Sequence, residues 1–143
     1  MAIKVLKDEK DDFLLSFDET LVVLKKADLK RLLIEIIQAY SGKSKFDTRE
    51  LFGRLMKADD VSIQALLQSA ENEEIVALMK ASENNEDLKE KLSKNMSEKS
   101  RKTVEEEVEF KFDENTTSDD LMVPLLHLTL KCNALTKDDK ANI

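Results

Sequence analysis

Two glycines and one proline in 143 residues constrain this chain more than any other feature. Turns between β-strands favour residues that accept positive φ, glycine above all. Gly42 and Gly53 are too few to serve a hairpin-rich protein. The same scarcity leaves long stretches free of helix breakers. The expected fold class is therefore all-α. A chain of this length buries roughly two thirds of its unfolded surface, so it needs neither disulfide nor metal to fold. No fixed internal period is present, so a regular repeat array is not expected.

Helix starts can be read one after another. Residues Ile3 to Phe17 fit either an extended segment or a short helix. Asp18 is placed to cap a helix to about Lys26 with Leu21, Val22 and Leu24 on its apolar side. Asp28 caps a stronger one, whose apolar positions Leu29, Leu32, Leu33, Ile36, Ile37 and Tyr40 recur at steps of three and four. Gly42 stands where a C-terminal cap wants a left-handed residue. Asp47 with Glu50 resembles a capping box for Thr48 to Lys57, which would bury Leu51, Phe52 and Leu55. Asp59 or Asp60 opens a helix carrying Val61, Ile63, Leu66 and Leu67. Asn72 caps Glu73 to Lys80, with Ile75, Ala77, Leu78 and Met79 as core positions. After a polar stretch at 82–86 comes a helix over Asp87 to Lys94 with Leu88 and Leu92. Ser97 caps Glu98 to Phe110, Lys111 to Thr117 breaks the pattern, and Ser118 caps Asp119 to Asn133. Thr136 caps a final turn. Helices this short are marginal alone and must bury their apolar faces against one another. The expected division is an N-terminal helical segment over residues 1–46 and a helical domain over 47–143.

Charge and motif content narrow the chemistry. The 23 basic and 30 acidic side chains give a net charge of −7. With no local basic patch, duplex nucleic acid would be repelled. Cys132 is the single cysteine and lies beside an apolar run, which reads as a buried, inert thiol in a reducing cytosol. No apolar stretch is long enough for a membrane span, and the charged first ten residues lack a signal-peptide core. A cytoplasmic location is expected, with no membrane insertion. The single histidine, His127, has Val123, Leu126 and Leu130 around it on its helix and reads as a packed or half-exposed structural residue. No oriented nucleophile or carboxylate accompanies it, as a catalytic base requires. Neither a zinc-type helix motif, a glycine-rich phosphate loop nor an EF-hand is present. The paired aspartates at 11–12, 59–60, 119–120 and 138–139 read as caps and solvated surface. The expectation is a non-enzymatic protein with no cofactor and no metal.

One helix departs from this plain pattern. From Glu98 it carries Lys99, Arg101 and Lys102 first, then Glu105, Glu106, Glu107 and Glu109. The helix dipole favours the opposite order, acids first and bases last. The pairs Arg101–Glu105 and Lys102–Glu106 also run in the weaker direction. Helical geometry sets Lys99, Lys102, Glu106 and Glu109 within about 40° of the line opposite Val104 and Val108. The valines therefore face the core, and a stripe of charge, positive then negative, faces water. It reads either as a solvated face whose pairs offset the dipole or as an electrostatic contact surface, where charge order fixes a partner's register.

The same residues carry a resemblance. Ala77-Leu78-Met79-Lys80, Leu88-Lys89-Glu90-Lys91 and Lys94-Asn95-Met96-Ser97 follow in the order of one family's segments, and Asn95-Met96-Ser97 is the most specific of them. Ala58 to Gln64 with Leu66-Leu67 matches upstream, and Leu125 to Leu135 downstream. From Phe52 to about Leu135 the chain resembles the C-terminal domain of the flagellar motor switch protein FliG. The resemblance implies an all-α, armadillo-like rotor module that touches the stator's cytoplasmic loop through charged residues on one helix. Lys80, Lys99, Glu106 and Glu107 stand at the family's charged positions with signs kept, and Lys102 joins them from the stripe. Protein partners of the flagellar stator or switch complex are thereby implied.

The departures are equally specific. The loop from Ser82 to Asp87 is longer than usual, Ala81 replaces a glycine, and Phe112-Asp113-Glu114-Asn115 replaces a Gly-Pro-Val-Arg turn. Residues 1–46 lack the family's Glu-His-Pro-Gln segment and leave no room for its membrane-ring and switch-binding domains. The expectation is a divergent stand-alone relative, a piece of a longer chain, or the same fold reused as a helical adaptor outside the motor.

Overall fold

Val22 and Val23 are β-branched and stiff at χ1, which favours a pleated strand over a helix. In the computed structural model, which describes residues 1–41 and 47–143, they lie in the third strand of a small sheet. The strands β1 (Ile3–Lys7), β2 (Phe13–Phe17) and β3 (Thr20–Leu24) form an antiparallel meander in the order β1-β2-β3. Val5 pairs with Leu15 and Leu15 with Val22, so these three share one face, while Leu6, Leu14 and Val23 share the other. The fold is thus mostly helical and not all-α, and the expected helix from Asp18 to Lys26 is replaced by β3.

The turn chemistry explains the correction. Asp18 and Asp11 both adopt positive φ, 51° and 62°, which aspartate tolerates better than most residues. The Asp18 carboxylate accepts the Ala2 amide at 2.7 Å instead of capping a helix. The Asp8 carboxylate accepts the amides of Lys10 and Asp12 at 2.8 and 3.0 Å, closing the first reversal. Three aspartates do here what glycine was expected to do. Helix α1 (Lys26–Ser41) follows, with Asp28 in its first turn, and packs on β3. Gly42, read as its C-cap, lies outside the described residues. Residues Met1–Ser44 form one compact unit and Lys45–Ile143 a second.

The second unit contains α2 (Arg49–Lys57), α3 (Asp60–Ser69), α4 (Asn72–Ala81), α5 (Glu86–Lys94), α6 (Glu98–Lys111) and α7 (Ser118–Lys137). α4 is central: Val76, Ala77, Leu78 and Met79 are all buried, so it is apolar nearly all round and packs against both α6 and α7, as such a helix must. Leu51, Leu55, Ile63, Leu66, Leu88, Leu92, Val104, Leu125, Leu128 and Cys132 complete the core. Val61, read as a core position, is exposed, and Val76 takes the buried role.

The caps are close to expectation. Asp59 accepts the Ser62 amide at 2.8 Å, and Ser97 accepts the Ser100 amide at 3.1 Å. Glu71 precedes α4 where Asn72 was expected, and Thr117 with Asp120 starts α7 in place of Ser118. Thr48, not Asp47, is the N-cap of α2; the Asp47 carboxylate accepts the Arg49 amide at 2.9 Å. α7 continues through Thr136, whose hydroxyl bonds the Cys132 carbonyl at 2.9 Å, so no separate final turn begins there. Lys91 donates to the carbonyls of Met56 and Ala58 and so ties α5 to the end of α2, where a cation is favoured by the exposed carbonyls.

Candidate functional site

α6 owes its placement to few residues. Ser97 fixes its start, Val104 is buried against α4, and Val108 packs at the edge of the core. The two dipole-favoured charges are at its extremes, Glu98 in the first turn and Lys111 in the last. Between them the basic-then-acidic order is kept.

Lys99, Lys102, Glu106 and Glu109 are all exposed, as the helical arithmetic requires with Val104 inward. Among the described residues, Lys99, Arg101, Lys102, Glu105, Glu106 and Glu109 form no ion pair within 4.0 Å. The expected pairs Arg101–Glu105 and Lys102–Glu106 are therefore not closed. Elsewhere the same unit does close ion pairs, such as Lys80–Glu83 at 2.8 Å and Lys94–Asp60 at 3.4 Å. Apart from Glu107–Lys111, internal pairing thus does not compensate the adverse charge order on α6.

The five residues singled out by sequence do not form one patch. Lys99, Lys102 and Glu106 share the open ridge. Glu107 is on the flank, half-buried, where it accepts a hydrogen bond from the Asn72 side chain and sits 3.9 Å from Lys111. Lys80 ends α4 with its side chain only one-fifth exposed, bound to Glu83. That ammonium holds the Glu83 carboxyl below its ordinary value, through a hydrogen bond first and charge second.

Two features escaped the sequence reading. Phe110 is 90% exposed and stands four residues after Glu106, which puts an aromatic ring at the acidic end of the ridge. Its position was computable from the same helical arithmetic. The other is Glu74, 3% exposed, whose carboxylate takes the Lys131 ammonium, the Glu71 amide at 2.9 Å and, at 3.7 Å, His127 Nδ1. No local pattern signals this cluster, because Lys131 and His127 come from α7. His127 is half-exposed, and Cys132 is fully buried, with burial pushing its thiol upward.

Two comparisons bear on this arrangement. Residues 47–119, just over half of the chain, match the family model described as the FliG C-terminal domain. No curated protein matches the chain.

Proposed function

Since this chain belongs to the FliG C-terminal domain family, we propose that it is a non-enzymatic interaction module of the flagellar switch type that contacts a stator-like protein through the exposed face of α6. The observation that carries this reading is the row of unpaired charges on α6, ordered against the helix dipole. Such an order is unfavourable in an isolated helix and becomes favourable beside a partner with the reverse order. Exposed pairs contribute about 0–1 kcal/mol each, so several must act together, which suits a brief and repeated contact. Phe110 supplies the apolar component that charge alone lacks. Lys80 and Glu107 join only by exchanging Glu83 and Asn72 for partner groups. Among the described residues no helix is long and apolar enough to cross a membrane, and the proposed contact would be made on the cytoplasmic side of the flagellar base.

The test is a cross-linked pull-down at low salt, comparing the wild type with a Lys99→Glu/Glu106→Lys double reversal whose melting curve is unchanged. Recovery of stator or switch components by the wild type and their loss in the reversal is the expected result. It should also fall steeply with added salt, as screening of exposed charges requires. Equal recovery by both proteins overturns the ridge as the site.

A second reading, a helical adaptor outside the motor, draws on Met1–Ser44. This separate unit lies outside the matched residues and exposes Leu6, Leu21 and Val23 on one sheet face. Under that reading the partner survives the ridge reversal and is lost on Leu21→Ser/Val23→Ser.

A further inference from the structure

Beside the ridge lies a groove of different chemistry. α3 and α4 form one wall and the first turns of α6 the other, enclosing about 560 Å³, within the range of ligand-sized clefts. Its floor is apolar, made by Leu67, Ile75, Met96 and Val104. Its walls carry uncharged polar side chains, with Lys99 the single charged residue that lines it.

These wall groups offer both hydrogen-bond senses, and several are already held in place by one bond. Gln64 gives its amide N–H to Asn95 Oδ1 at 3.1 Å. Asn95 is itself held by donating to the Asp60 carboxylate at 3.1 Å and the Lys91 carbonyl at 2.8 Å. Asn72 gives an amide N–H to Glu107. Gln64 and Asn72 are each anchored through one amide N–H and keep the second N–H and the carbonyl oxygen for a ligand. On the facing wall Ser100 Oγ accepts from Ser97 Oγ at 2.8 Å and keeps its own hydroxyl hydrogen to donate. Lys99 adds three donors, and Gln68 lines the groove with both senses open.

Polar walls over an apolar floor match an extended peptide. Such a chain turns its N–H and C=O groups sideways, alternating between its two edges, while side chains point alternately down and out. A helix would arrive with its backbone groups already bonded and would leave the wall acceptors unused. The lone positive charge selects a carboxylate. We infer that this groove binds an extended segment of a partner protein, with an apolar side chain on the floor and a carboxylate against Lys99. The proposal shares Lys99 with the ridge, while Lys102 and Glu106 lie outside the groove, so substitutions at those two residues tell the two sites apart.

The experiment is an NMR titration of the full chain with heptapeptides of alternating leucine and serine that carry one aspartate, or a free C-terminal carboxylate in its place. Controls are the Asp→Asn, C-terminally amidated peptide and an alanine-rich helical peptide of equal charge. The expected result is saturable movement of the Gln64, Gln68 and Asn72 side-chain amides together with the Ser100 backbone signal. Gln68→Ala or Asn72→Ala should each weaken binding about fivefold, the equivalent of one hydrogen bond, while Lys102→Glu leaves it unchanged. Tighter binding from either carboxylate supports the proposal. No saturable shift at millimolar peptide, equal binding by the uncharged peptide, equal binding by the helical one, or shifts confined to Lys102 and Glu106 would each overturn it.

Discussion

Replacing Lys131 with methionine should destabilise the helical unit far more than replacing Glu74 with glutamine, although the two are partners. Glu74 is buried, and its carboxylate has three neighbours: the Lys131 ammonium, the Glu71 amide at 2.9 Å and His127 Nδ1 at 3.7 Å. Lys131→Met removes the closest cation and strands the carboxylate in the interior. An uncompensated buried charge costs roughly 3–5 kcal/mol. The Glu71 amide and the half-exposed His127 remain here, which reduces the expected loss to about 2–3 kcal/mol. Glu74→Gln removes the charge and keeps an acceptor for the Glu71 amide. Lys131, whose side chain is 28% exposed, then turns its ammonium to water, and the loss is about 1 kcal/mol. In a unit of about 100 residues, each kcal/mol moves the midpoint by about 4–8 °C. Thermal melts of the full chain at pH 7 should therefore fall by roughly 10–20 °C for Lys131→Met and by about 5 °C for Glu74→Gln. The double variant should recover part of the larger loss, because no charge is left buried. Equal losses, or a greater one for Glu74→Gln, would refute the argument that the desolvated carboxylate sets the scale.

Val104→Ala deletes two buried carbons that hold α6 to α4 and should cost about 1.5–2.5 kcal/mol. Unlike the ridge reversal it lowers the melting midpoint and partner capture together; capture lost without a stability change would contradict its inward role. Asp59 is held below the ordinary carboxylate range by Ser62, through its side chain and then its amide, and Asp60 by Asn95 and then Lys94. Their folded values lie below the unfolded ones, so their contribution is complete above the unfolded values near pH 4 and is lost as pH falls through the folded ones. Urea midpoints measured from pH 6 down to pH 2 should decline, less steeply in Asp59→Asn, and a flat profile would count against both groups. Cys132 should resist thiol reagents in the native chain and react once urea unfolds it, since burial raises its thiol and blocks access. Rapid native labelling would show that α7 opens.

What could be read in advance divides by the distance over which each feature is decided. Leu51, Leu55, Ile63, Leu66, Leu88 and Leu92 recur at helical spacing and are buried as read, because one helix face settles the matter. Asp59 and Ser97 act as caps because capping is decided within three residues. In the N-terminal unit the helix opened by Asp28 is present and residues 3–17 are mainly extended, one of the two forms they fit, but the helix expected from Asp18 to Lys26 is strand β3. Asp11 and Asp18 take positive φ, so counting glycines underestimated the available turns. Features made by partners far apart in sequence had no local trace. Nothing near Glu74 foretells Lys131, and nothing near Glu107 foretells that Asn72 takes it off the open ridge. The charge order of α6 was legible because it is a local conflict, bases where the dipole wants acids. The fold relieves that conflict only at Glu107, which meets Lys111 and Asn72, and leaves Arg101–Glu105 and Lys102–Glu106 unpaired. A sequence that obeys its local rules almost everywhere breaks them along one solvent-facing row, which is why the proposed contact is tested there first.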